Sequence, residues 1–266
     1  MTTPPRFTRR RLVLGAAAVA GMAACDGGRS GRSGAAPPTT SAPPSPPASI
    51  PPAPSAVPSS TAPSPVNGPA HFVRRARDGS GVALTFHASG DPALATALLD
   101  GLAARQAKVT VFGVGQWMAA NPPLVARILA DGHDLGNHTQ THQAMGQLTR
   151  TAIAAEITEC AKVLEQLTGS LTPWFRPSGI DTPTDAILAE AGLAGYAISV
   201  GYDVDTLDFQ DPGARAVVAN FRKGVSGGSI VSLHFGHRGT IDALSGMLDH
   251  LASTGLHPVT LGQLLA

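Results

Sequence analysis

Two histidines stand four residues apart in Gly136-Asn137-His138-Thr139-Gln140-Thr141-His142. A neutral imidazole is the commonest protein ligand for Zn²⁺ and similar ions. At this spacing both rings can face one side of a helical turn or a tight loop. Alone, the segment fits two surface histidines on a polar loop equally well. Other ionisable residues change that balance. His87, Arg176 and His234 each stand at or just past the end of a short apolar run, and Asp203, Asp205 and Asp208 cluster after another.

Those runs define the elements that must position the site. Residues 82–86, 109–114, 173–176, 196–200, 230–234 and 257–261 read as buried strands, with a short strand before His138. Helical spacing of apolar residues covers 92–104, 124–129, a long segment capped by Thr149 or Thr151 and ending at Gly169, then 185–191, 212–222 and 241–252. Strand and helix alternate about seven times. Such alternation predicts an α/β fold, a (β/α)7-type distorted barrel with a parallel sheet closed or nearly closed. In barrels of this kind the active site lies at the carboxyl ends of the strands, where the ionisable residues fall. A core histidine explains one such position but not the set.

The amino-terminal part is built differently. Residues 1–25 carry Thr8-Arg9-Arg10-Arg11, an apolar run from Leu12 to Ala24, and then Cys25. The run is short for a bilayer span and reads as a twin-arginine export signal. Small residues before Cys25 resemble a lipoprotein cleavage box. Residues 26–73 are rich in Pro, Ser and Ala, and no Lys, Arg, Asp or Glu lies between Ser33 and Val73. Such a stretch reads as an extended spacer. The expectation is an extracytoplasmic protein tied to the membrane only through a lipidated Cys25, with residues 74–266 as one catalytic domain facing the cell wall. Cys160 then has no disulfide partner and reads as a small buried residue. A formal net charge of +1 excludes a general nucleic-acid binder. Nothing in the sequence calls for an oligomer, and a monomer is expected.

The motifs together resemble the polysaccharide deacetylases with NodB homology, carbohydrate esterase family four. The resemblance rests on His138-Thr139-Gln140-Thr141-His142, Phe175-Arg176-Pro177-Ser178-Gly179, Asp205-Thr206-Leu207-Asp208-Phe209 and Leu233-His234. It implies a NodB-like barrel and a divalent metal ion of the Zn²⁺ kind, held by His138 and His142. It also implies hydrolysis of an acetyl amide or ester on an acetylated cell-wall or extracellular glycan. Asp208 would hold His234, the acid to the leaving group, and Arg176 would face the base. The first motif departs from the family's Thr-Phe-Asp-Asp-Gly. It reads Thr85-Phe86-His87-Ala88-Ser89-Gly90, so base and metal ligand align with His87 and Ala88. Alanine cannot bind a metal. His87 is the expected third ligand, because an imidazole extends further than a carboxylate from the same backbone position, and its rival role is general base; Asp91 reaching back, or water filling the place, are the other repairs.

The implied function is therefore an exported metallohydrolase of carbon–nitrogen bonds. The alternatives are a glycan-binding domain that has lost the chemistry, or a hydrolase of another non-peptide C–N bond. The anchoring expectation is tested by Cys25→Ser. This variant should leave the membrane fraction or stall in processing, and unchanged fractionation and processing would remove the lipoprotein reading.

Overall fold

The computed structural model describes residues 66–77 and 79–266. The export signal, Cys25 and the spacer up to residue 65 lie outside the described residues. Among those described, no helix is long and apolar enough to cross a membrane.

Among the described residues, nine strands form one sheet. They are β1 (His71–Val73), β2 (Gly81–Ala88), β3 (Thr110–Gly113), β4 (Asp134–Asn137), β5 (Trp174–Phe175), β6 (Ile198–Val200), β7 (Val204–Asp205), β8 (Ile230–His234) and β9 (His257–Val259). Their order is β1-β6-β5-β4-β3-β2-β8-β7, and every pairing is parallel. The sheet curls without closing, and β1 and β7 are its edges. β9 pairs beside the first residues of β2, away from the strand ends that carry the site.

Among the described residues, seven α-helices lie between the strands and an eighth follows β9: α1 (Pro92–Ala104), α2 (Gly115–Ala120), α3 (Pro122–Ala130), α4 (Arg150–Thr168), α5 (Asp185–Leu193), α6 (Ala214–Gly224), α7 (Arg238–Ser253) and α8 (Leu261–Leu264). Their ends obey local chemistry. Asp91, Thr149 and Thr184 accept backbone N–H groups at the starts of α1, α4 and α5. Gly169 takes φ +80° at the end of α4, where a side chain would be strained.

Strand alternation sorts β2 into two faces. Val82, Leu84, Phe86 and Ala88 join the large apolar layer shared with α1, α6 and α7. Ala83 joins a smaller inner cluster with Phe112, Trp174, Val200 and Ile230. Thr85 and His87 continue that inner face towards the carboxyl end, so the longest strand carries a polar ladder into the mouth of the curl.

The open seam is bridged by side chains. Arg75 Nη1 donates to Asp203 Oδ2 at 2.9 Å, to Ser226 Oγ at 2.9 Å and to Ser229 Oγ at 3.1 Å. Asp203 also accepts the backbone N–H of Ile230 at 2.7 Å. Asp203, grouped in the sequence with the chemistry-bearing aspartates, is thus a structural strap. Strand β1 lies within the stretch read as spacer: three residues are too few to show a period, but they pair fully with β6. Removing the strap with Asp203→Ala should cost about 2–3 kcal/mol, the scale of lost hydrogen bonds to a charged group. Denaturant unfolding measures it, and a loss within about 0.5 kcal/mol of zero, as at ordinary surface positions, would contradict the role.

Candidate functional site

His87, His138, His142, Arg176 and His234 come together at the carboxyl ends of β2, β4, β5 and β8, lining a cleft of ≈ 350 Å³. Parallel register sets His87 beside His234 on β8 and beside Phe112 on β3. Arg176 follows β5 and lies beneath them, 2% exposed. Its guanidinium stacks over the Phe112 ring at 4.2 Å. A larger hollow of ≈ 640 Å³ lies around Arg75, Arg77, Gly81 and His257, at the opposite ends of the strands, and gathers no comparable cluster.

Among the described residues, Arg176 has no carboxylate against it. Its donors go to Val200 O at 3.0 Å, Gly201 O at 2.8 Å, Thr85 Oγ1 at 2.8 Å and His87 Nε2 at 3.0 Å. Burial pulls its pKa down to about 9, which leaves it charged at neutral pH. A guanidinium only donates, so His87 Nε2 is an acceptor and the His87 proton sits on Nδ1. His87 Nδ1 is 2.9 Å from His234 Nε2, which must then accept. His234 carries its proton on Nδ1 and donates to Asp208 Oδ1 at 2.8 Å. The result is a one-directional chain, Arg176 to His87 to His234 to Asp208, with a positive end, a negative end and two neutral imidazoles between.

Electrostatics agree with this assignment. Burial, then the neighbouring His138, His234 and Arg176, push His87 well below the usual histidine range. Burial works against ionised Asp208, but hydrogen bonds from the His234 ring and backbone and from Thr240 hold its pKa below the usual carboxylate value.

His138 is oriented separately. Its Nδ1 is 2.9 Å from the carbonyl of Arg176, so that nitrogen donates and Nε2 keeps its lone pair. Nε2 is buried with no hydrogen-bond partner. The His138 ring stacks on His87 at 4.2 Å and meets His142 edge-on at 4.9 Å. The loop that brings His142 there holds Thr139 at φ 68° and His142 at φ 64°. Such conformations cost about 1–3 kcal/mol each for non-glycine residues. Asn137 Oδ1 accepts the Thr139 N–H at 2.8 Å, and Glu156 on α4 accepts the Thr141 N–H at 2.8 Å. Asn137 also donates to Ile157 O and to the Tyr196 hydroxyl. Sequence reasoning passed over Asn137 and Glu156, although Gly-Asn before His138 was visible.

The residues present offer a metal two imidazoles. The unpartnered Nε2 of His138 suits a ligand, but both nitrogens of His87 are committed. Asp91 is turned to capping α1, with Oδ1 accepting the Ala93 N–H at 2.8 Å, and Ala88 is packed in the outer apolar layer. Among the described residues, no group of three or more His, Cys, Asp or Glu side chains is arranged to hold a metal ion. The donor set does not match a three-ligand catalytic centre. Cys160 is buried near Gly113 O, its thiol pushed up to about 12 by burial, and plays no part.

A sequence model described as polysaccharide deacetylase matches residues 74–198. A peptidoglycan-N-acetylglucosamine deacetylase from Bacillus cereus is 31% identical over 188 residues, which are 69% of this chain and 87% of that protein. A chitin deacetylase from Pestalotiopsis sp. is 32% identical over 190 residues, 69% of this chain and 63% of that one. Among solved structures, a wild-type pseudoenzyme of carbohydrate esterase family 4 from Bacillus anthracis superposes with a TM-score of 0.69 at 23% identity. It covers 74% of this chain and 69% of its own. That likeness speaks to the fold.

The buried histidines give the protein an acid limit. His87 and His138 are both depressed from 6.5, so below that pH the unfolded chain binds protons that the folded chain does not. Their contribution is full above the unfolded pKa and is lost progressively as pH falls from there towards the lowered folded-state values. The thermal midpoint should therefore drop between about pH 7.5 and about pH 5, before most carboxylates titrate. A midpoint that holds or rises over that interval would contradict the assignment.

Proposed function

The chain belongs to the polysaccharide deacetylase family, and we propose that this member binds a cell-wall glycan of amino sugars in its cleft without hydrolysing it by the family's metal route. The ligand class is supported by relatives that are deacetylases of peptidoglycan and chitin. The observation that carries the loss of chemistry is the double commitment of His87. As a base it would need a free lone pair, and Arg176 takes the one it has. Acid catalysis is blocked by the same bond. Protonating His234 on Nε2 turns it into a donor facing His87 Nδ1–H. The clash is relieved only by breaking the His87–His234 bond or by turning His87 against Arg176.

In this reading Arg176, His87, His138 and His234 form the rigid floor of the cleft, with Asp208 buried behind His234. His142, Tyr202, Asp205 and Phe209 supply its accessible walls. The export signal, a lipidated Cys25 and the charge-free spacer would hold this cleft outside the cytoplasm, within reach of the wall. A second reading is hydrolysis of an acetyl group with help from a divalent ion of the Zn²⁺ kind. The free Nε2 of His138 and the retained His234–Asp208 pair favour it.

One experiment separates the two. Acetylated chito-oligosaccharides are incubated with the full chain, with and without Zn²⁺, while bound ligand and released acetate are measured. Binding without acetate release is expected in both conditions. Zn²⁺-dependent release that disappears in His138→Ala would establish the hydrolase reading instead.

A further inference from the structure

The polar lining of the cleft is unbalanced. Arg176 directs its charge inward, where the two-imidazole chain connects it to Asp208. Asp181 and Asp205 line the same cleft, and neither has an ion-pair partner among the described residues. Asp181 Oδ1 accepts from the Tyr202 hydroxyl at 2.6 Å, and Asp205 Oδ1 accepts the Leu207 N–H at 2.9 Å. The second oxygen of each carboxylate makes no hydrogen bond among the described residues. A third acceptor is His138 Nε2, buried and unpartnered on a residue 1% exposed. Two aromatic rings complete the walls, Tyr202 and Phe209, and Phe209 is 45% exposed. Its exposure is imposed by the loop: Leu207 is held at φ 55°, and buried Asp208 anchors the turn to His234 and Thr240.

Two unpaired carboxylates, a buried acceptor and two aromatic walls suit a ligand that brings several N–H donors and a positive charge. A primary ammonium brings three donors and that charge. An N-acetyl group brings one N–H and a carbonyl, which itself requires a donor or an electrophile. The metal ion that would meet such a carbonyl lacks its three-residue holder here.

We propose that the cleft selects an amino sugar whose nitrogen is free and protonated over its N-acetylated form, with Asp205 as the residue that makes the distinction. This rests on the reading of the cleft as a glycan site. It makes the protein a reader of de-N-acetylated wall polymer. The class of reaction that supplies the ligand is hydrolytic N-deacetylation, in which water cleaves the amide to give acetate and the ammonium sugar.

The test is calorimetric titration of the full chain, in chelator, with the trisaccharide of glucosamine and with that of N-acetylglucosamine. The free-amine sugar should bind about 10-fold tighter, the size of one added charged hydrogen bond. Asp205→Asn keeps the oxygen that accepts from Leu207 and removes the charge. It should erase most of that preference by weakening free-amine binding far more than acetylated-sugar binding, with Asp181→Asn giving a smaller loss and thermal melting confirming that both variants fold. Equal or tighter binding of the acetylated sugar overturns the inference and leaves the glycan reading standing. A preference that survives Asp205→Asn overturns the role of Asp205 and with it the proposal. Binding of neither sugar overturns the glycan reading as well.

Discussion

A buried guanidinium without a carboxylate is the constraint around which this site is arranged. Arg176 cannot shed its proton readily and cannot accept a hydrogen bond, so every group it meets must be an acceptor. Two are backbone carbonyls at the end of β6, one is a threonine hydroxyl on β2, and one is the imidazole of His87. Because Arg176 follows β5, these bonds tie β5 and its neighbour β6 to β2 across the open mouth of the sheet. They also fix which nitrogen of His87 carries hydrogen, and that choice passes along the row to Asp208. Burying an unpaired charge costs several kcal/mol. Here the countercharge is supplied at a distance, relayed through two oriented rings instead of touching.

On the proposed reading, the same relay explains why a familiar set of residues does not add up to the familiar chemistry. His234 and Asp208 keep a geometry in which aspartate orients histidine, and His138 keeps a free, buried nitrogen beside His142. The neighbour of Arg176 is what differs. A histidine in that place satisfies the arginine and caps His234 at once, while the next residue, Ala88, lies in the helix-packed layer. On the proposed reading, recognition of a ligand survives this change, because the cleft walls do not depend on it, and proton transfer does not.

Much of this was legible in the sequence, for identifiable reasons. The alternation of apolar runs with helical spacing gave the parallel curled sheet, and the ionisable residues at strand ends gave the convergence of His87, His138, His142, Arg176 and His234. The caps Thr149 and Gly169 stand where their chemistry put them. Less legible were the very short elements: β1 and β7 hold three and two residues, below any detectable period. Helix α2 begins with Gly115 and has no side-chain cap to announce it. Within the site, the family resemblance placed His87, with Asp91 in the same loop, near the histidine pair but could not say what each would touch. Asp91 is taken up by the first turn of α1, and Asp203 by Arg75 across the seam. Hydrogen-bond direction is a property of three-dimensional neighbours, so the commitment of both His87 nitrogens had no sequence signal.

The central claim is the direction of the chain from Arg176 to Asp208. Long-range ¹⁵N–¹H correlation of the histidine side chains at neutral pH reads it directly, with His87→Gln and His234→Gln providing the assignments. The account predicts that His87 and His234 are both neutral and both protonated on Nδ1, with His138 also carrying hydrogen on Nδ1. Hydrogen on Nε2 of either His87 or His234, or an imidazolium at His87, would contradict it.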